Sequence, residues 1–245
     1  MSEKVVLDFT HTYTTEDFPE EWDMAWEDCS DIIGTNCYCD EDAQTLLRGR
    51  MASYGATGIH FIDSGNYHYL SKLWIEMLQE PFSLVVYDHH SDMQLPHFEG
   101  VLSCGGWIRS LLEENQWLQR VYIIGAAASQ KVQAHGYENR LFYIPEEDAN
   151  LFPQLGKKFF LTREDKIYLS IDKDVLAPSE VHMNWDQGSL TMENLKRQLK
   201  MIFQEAEVIG VDICGEDPEQ TYAPDIARNK AVNRELCYFL GAYIK

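Results

Sequence analysis

The chain has 245 residues, 45% of them hydrophobic and 12% aromatic, which is enough to bury a sizeable core and excludes a disordered polypeptide. A formal charge of −20 excludes nucleic acid and anionic membranes as partners, because phosphate binding is driven by Lys and Arg, and it favours small neutral or cationic ligands. With no run of about 18 apolar residues, no secretion signal in the opening MSEKVVLDFTHTY and six cysteines, the expectation is a cytoplasmic protein with reduced thiols.

Short apolar runs read as buried strands at residues 5–7, 59–62, 84–87, 121–124, 141–144, 167–171 and 208–211. Between and after them, helical patterning covers 43–54, 69–79, 107–118, 192–205 and 225–243. Strands alternating with helices predict parallel βαβ units and an α/β fold, a three-layer α/β/α sandwich around a mainly parallel sheet. No repeat or Pro/Gly/Ser linker divides the chain, so residues 1–245 are expected to form a single domain. Residues 10–39, rich in Asp, Glu and Trp with weak periodicity, are expected to wrap the sheet edge or the mouth of a site.

Ligands of open parallel sheets bind beyond the carboxyl ends of the strands. Three of those exits carry metal-ligand chemistry. After 84–87 comes Asp88-His89-His90-Ser91-Asp92, whose D-x-H-x-D spacing puts Asp88, His90 and Asp92 on one side of an extended segment. After 167–171 come Asp172 and Asp174, again two residues apart, and after 59–62 comes Gly65-Asn66-Tyr67-His68. Four carboxylates and two imidazoles gathered at one sheet edge repel unless cations lie among them. Mixed Asp/His ligation without thiolates favours manganese over magnesium. A zinc site at Cys37-x-Cys39 is disfavoured, since no second Cys/His pair follows at finger spacing.

These motifs resemble those of the arginase, agmatinase and formiminoglutamase family, the ureohydrolases, which run G-G-D-H, D-A-H-x-D and S-x-D-x-D-x-x-D-P. The likeness continues at Gln187-Gly188-Ser189-Leu190 and at Val211-Asp212-Ile213-Cys214-Gly215-Glu216-Asp217-Pro218, so it covers about residues 58–220. It implies the arginase-like fold and two manganese ions per chain. One would be held by His68, Asp88, Asp92 and Asp172, the other by His90, Asp88, Asp172 and Asp174, with Asp88 and Asp172 bridging. It further implies a metal-bridging hydroxide that hydrolyses a non-peptide C–N bond in a guanidino or amidino compound, with Asp92 helping to pass the proton to the leaving amine. Family members often form trimers or hexamers, which leaves a homo-oligomer open.

The sequence departs from the family pattern at four places. Tyr67 replaces the acidic residue before the first His, and Ala177 replaces the Asp of the D-P pair. Cys104, in Ser103-Cys104-Gly105-Gly106, stands where the resemblance implies a proton-shuttling imidazole. Gly215 holds the place of the acidic residue that receives a guanidinium, and Glu216 follows one position later, either reaching the substrate through a bulge or belonging to an exposed acidic loop. Two rivals therefore stay open. One is a metal-containing binding or regulatory protein without turnover. The other is a metal-dependent deacetylase, whose single zinc held by two Asp and one His fits six ligands less well.

Overall fold

The computed structural model describes residues 4–18, 23–130, 136–151 and 161–244. Its centre is an eight-stranded sheet of β1 (Lys4–Asp8), β2 (Ala25–Asp28), β4 (Gly58–Phe61), β5 (Phe82–Tyr87), β7 (Leu118–Ile124), β8 (Leu141–Ile144), β9 (Lys166–Asp172) and β10 (Glu207–Cys214). The spatial order is β2-β1-β4-β10-β9-β5-β7-β8, and every pairing is parallel. Outside this sheet, β3 (Tyr38–Cys39) and β6 (Leu102–Ser103) form a small antiparallel ribbon.

Each apolar run read from the sequence lies in one of these strands, except that Ile62 falls just past the end of β4. Alternate side chains fill two cores on opposite faces of the sheet. Val5, Leu84, Val86 and Val121 enter one core, which α2 (Glu41–Met51), α3 (Leu70–Ile75) and α4 (Trp107–Glu114) cover through Leu47, Trp74 and Leu111. Val6, Val85, Tyr87 and Tyr122 enter the other, covered by α1 (Thr12–Glu16), α5 (Glu146–Ala149), α6 (Met192–Glu205) and α7 (Ala223–Gly241) through residues such as Tyr13, Leu199 and Leu236. The architecture is thus the expected three-layer α/β/α sandwich. No helix among the described residues is long and apolar enough to cross a membrane.

Several boundaries differ from the sequence pattern for local reasons. The helix expected over 107–118 stops at Glu114, because the Asn115 side chain accepts the N–H groups of Trp117 and Leu118 (2.8 and 3.1 Å) and turns the chain into β7. At the start of α2, Asp40 caps by accepting from the Ala43 N–H at 2.8 Å. The sheet gains an edge strand, β2, from the acidic segment whose pattern was weakest, since an edge strand is only half buried and need not alternate cleanly. Later in the same segment, Cys37 and Tyr38 line the pocket at the strand ends.

Strands β4, β10, β9 and β5 occupy the middle of the sheet. The chain lays down β1, steps out to the edge with β2 and returns on the other side of β1 with β4; it then crosses to β5 and runs outward through β7 and β8, leaving two places that β9 and β10 fill later. A reversal of this kind opens a crevice at the carboxyl ends of the strands.

Candidate metal centre

All six expected ligands meet in that crevice, and all six line one pocket. His68 ends a short 3₁₀ turn (Gly65–Tyr67) that follows β4, a turn capped by Ser64, whose hydroxyl accepts the Asn66 N–H at 3.1 Å. Its Nε2 lies 2.8 Å from the Ser170 hydroxyl, which fixes the ring and turns Nδ1 towards carboxylates. That Nδ1 stands 3.0 Å from Asp92, 3.3 Å from Asp88 and 3.5 Å from Asp172. His90 Nδ1 lies 2.8 Å from Asp174 and 3.6 Å from Asp88.

Asp88 therefore belongs to two ligand groups, one with His68 and Asp92 and one with His90 and Asp174. Asp172 joins a third with His68 and Cys214, and its other oxygen accepts the Asp174 N–H at 3.0 Å. Backbone groups hold the carboxylates in place: the His90 N–H donates to Asp88 at 2.6 Å and the His89 N–H to Asp174 at 2.9 Å.

Burial, followed by the charges of Asp174 and Asp88, pushes Asp172 up to about 7, and burial together with Asp88 pushes Asp174 up to about 6. Burial opposes a charge on His90, but Asp174 and Asp88 outweigh it and raise the imidazole to about 11. Without cations the cluster must hold protons to relieve its own repulsion. The donor set fits two divalent ions: the four carboxylates of the three groups carry −4 when ionised, which two such ions balance, with one imidazole available to each.

Some neighbours of the site were not legible as site residues. Trp107 donates its indole N–H to Asp92 at 2.6 Å and packs its ring on His68 with centroids 4.9 Å apart. Trp185 packs edge-on to His90 and donates to Asn66, whose amide donates in turn to Asn36 at 2.7 Å. Cys214, the last residue of β10, places its thiol 3.2 Å from Asp172. Position at a strand exit was the signal for Cys214; for the two indoles, which come from distant segments, no such signal exists. Trp107→Phe keeps the apolar bulk but removes the bond that orients Asp92, so manganese affinity is expected to fall about 10–100-fold in a metal titration.

The remaining expected residues separate. Cys104 lines the pocket, beside Cys37. Cys39 is buried in the core, so Cys37 and Cys39 do not act as a ligand pair; the left-handed backbone at Cys37 (φ 60°) separates their directions. Glu216 is fully buried and is neither in an exposed loop nor among the pocket-lining residues. It pairs with the buried Lys173, and Asn233 of α7 bridges them, its amide donating to Glu216 and to Glu16 at 2.8 Å each.

Burial, and then the charge of Glu216, raises Glu16 to about 9, so Glu16 stays protonated at neutral pH. An acid raised in the folded state contributes stability that is full below its unfolded pKa near 4.5 and is lost as pH rises towards 9. Glu16→Gln mimics the protonated form. It is expected to fold normally and to flatten the decline in urea midpoint between pH 5 and pH 9; an unchanged slope would contradict a protonated Glu16.

Residues 27–233 match the model of the Arginase family. A protein of Thermotoga maritima described as uncharacterized is 33% identical over 162 residues, 66% of this chain, and the chain spans 59% of that relative's length. Proclavaminate amidino hydrolase from Streptomyces clavuligerus superposes with a TM-score of 0.69 at 14% identity, covering 100% of this chain and 93% of that one. Trypanosoma cruzi formiminoglutamase with Mn2+ superposes with a TM-score of 0.65 at 14% identity, covering 97% and 94%. The two superpositions share the fold at low identity, whereas the family match runs through most of the sequence and through every ligand motif: the chain belongs to the arginase family.

Proposed function

We propose that the protein is a binuclear, manganese-dependent hydrolase of a non-peptide C–N bond in a guanidino or amidino compound, built as one domain. The observation that carries this reading is Asp88, shared between the group of His68 and Asp92 and the group of His90 and Asp174, with Asp172 lining the same pocket. His68, Asp88, Asp92 and Asp172 would hold one ion, and His90, Asp88, Asp172 and Asp174 the other. When bound, two such ions lower the pKa of water towards neutrality and polarise an electrophilic carbon. The manganese of the Trypanosoma cruzi enzyme and the amidino substrate in the name of the Streptomyces clavuligerus enzyme support the same assignment.

The chain's own residues set the remaining chemistry. Asp92 Oδ2 is engaged by Trp107, which leaves Oδ1 to take a proton and return it to the leaving amine. Cys104 is a poor shuttle, because its interaction with Cys37, and then burial, push its thiol far above the usual range. No Lys or Arg lines the pocket among the described residues, so a carboxylate-bearing substrate finds no cationic partner, and a neutral or cationic one suits the acidic walls.

Gly215 cannot simply be restored to the acidic residue of the resemblance. Its φ is +99°, and a Cβ there would lie 2.7 Å from Asp172 Oδ1 and 3.0 Å from the Lys173 backbone nitrogen. Arginine turnover is therefore expected to be slower by about 10²–10⁴ than that of the preferred substrate, the range for a missing positioned group. Gly215→Glu should destabilise the fold rather than create an arginase. The test is a panel of guanidino, amidino and formimino compounds, with and without a carboxylate, incubated with manganese-loaded protein and assayed for urea, ammonia and formamide. A fully metal-loaded protein that turns over no member would establish instead a binding protein on this fold.

A further inference from the structure

The ribbon of β3 and β6 brings two thiols together at the pocket wall. Its register pairs Tyr38 with Ser103 and Cys39 with Leu102; just beyond this ladder, where Cys37 turns left-handed, the Cys104 N–H donates to the Cys37 carbonyl at 2.9 Å and brings the two residues side by side. The two thiols are in side-chain contact although Cys37 lies outside the ladder; for comparison, residues opposite each other in a regular hydrogen-bonded rung have Cα atoms about 5.5 Å apart. That lies inside the span of about 4.4–6.8 Å that a disulfide bridges. Both are free thiols, both are partly exposed and both line the pocket, whereas Cys29, Cys39, Cys214 and Cys237 are buried.

We propose that Cys37 and Cys104 form an oxidisable pair, a site of reversible disulfide formation driven by hydroperoxides. The Cys37 sulfur attacks the distal oxygen of the hydroperoxide; the O–O bond breaks, Cys37 becomes a sulfenic acid and the peroxide leaves as its alcohol, or as water. The Cys104 sulfur then attacks the Cys37 sulfur, the S–S bond forms, and the hydroxyl leaves with the thiol proton as water. Two thiols are oxidised by two electrons and one hydroperoxide is reduced.

Local chemistry supports this division of roles. The thiol of Cys104 interacts with Cys37 and holds it down to about 7, while Cys104 itself is pushed up and stays protonated. One sulfur is thus ready to attack and the other to resolve. The bond would close a loop containing His68, Asp88, His90 and Asp92, and would remove both thiols from the pocket wall.

The test uses the whole chain, one portion treated with chelator and one supplied with manganese, exposed to a few equivalents of hydrogen peroxide. After unfolding, remaining thiols are alkylated and peptides are mapped without reduction. The expected result in both portions is the loss of two of the six alkylation sites, a peptide joining Cys37 to Cys104, and full reversal by dithiothreitol. Cys37→Ser should leave Cys104 alkylatable, and Cys104→Ser should stop Cys37 at a sulfenic acid that dimedone traps. A different pairing, such as Cys39 with Cys104, or six alkylatable thiols after peroxide, would overturn the proposal. The unmodified chain decides the matter even if a serine variant fails to fold. Because the readout counts thiols rather than ions or turnover, its failure leaves the hydrolase reading standing, and the converse holds as well.

Discussion

Asp88→Ala is expected to leave the protein with almost no bound metal, against about two ions per chain in the parent, because both ligand groups depend on this carboxylate. One Asp88 oxygen stands 3.3 Å from His68 and the other 3.6 Å from His90, so its removal strips a ligand from each site at once. His68→Ala and His90→Ala each remove a ligand from one group only and are expected to retain about one ion. Asp172→Ala, by the bridging role proposed for it, should again lower both. Elemental analysis after exhaustive dialysis separates these outcomes. A parent stoichiometry near one, with Asp88→Ala and His90→Ala indistinguishable, would mean a mononuclear site. Hydrolysis should fall with metal content, by at least the 10²–10⁴ typical of losing a positioned acid–base group.

Chelation is expected to have the second large effect, on stability and on its dependence on pH. Ions that bind only the folded chain stabilise it by mass action, by about 2.7 kcal/mol at a free concentration one hundred times the dissociation constant. In the metal-free chain Asp172 and Asp174, raised to about 7 and about 6 from an ordinary value of 3.8, keep protons in the folded state that the unfolded chain has released. Their contribution is full below about pH 4 and is lost as pH rises through 6 and 7. His90, raised to about 11, acts in the same sense: its stabilisation is complete below the ordinary imidazole value of 6.5 and fades as pH climbs towards 11. Metal ions replace those protons. The gap in melting temperature between manganese-supplied and chelated protein should therefore widen from pH 5.5 to pH 8. A gap that is constant or narrows would mean that the carboxylates are relieved by something other than cations.

The sequence made the ligands legible because each follows an apolar run, and the carboxyl ends of parallel strands are where such a sheet presents side chains. The D-x-H-x-D spacing predicts one side of an extended segment; the chain instead bends after β5, with the His90 N–H folded back on Asp88 and Asp92 in the left-handed region (φ 48°), and it is this turn that brings Asp88, His90 and Asp92 to one pocket. Partners from elsewhere in the chain were not legible. Trp107 reads only as a helix start, yet it orients Asp92; Cys37 and Cys104 are far apart in sequence and meet only because a two-rung ribbon brings their segments together. Glu216 misled for a related reason. An acidic run beside a proline resembles a solvated loop, and nothing local records that Lys173 and Asn233 lie within reach to bury it.

The order of strands in the sheet also constrains when the site can exist. Strand β10 lies against β4, β9 lies against β5, and the two pair with each other, so the places between β4 and β5 are filled by the last strands to be synthesised. A nascent chain that has exposed His68, Asp88, His90 and Asp92 holds four of the six pocket residues, beyond the ends of two strands that do not yet touch through the sheet. Their long-range pairing makes assembly of the centre slow compared with the local helices. Until β9 and β10 emerge, β4 and β5 each present an open edge, the condition under which partly folded chains pair with one another. A ribosome-bound chain ending before Lys166 therefore lacks Asp172 and Asp174, and the six-residue cluster is complete only once β9 has emerged and paired with β5.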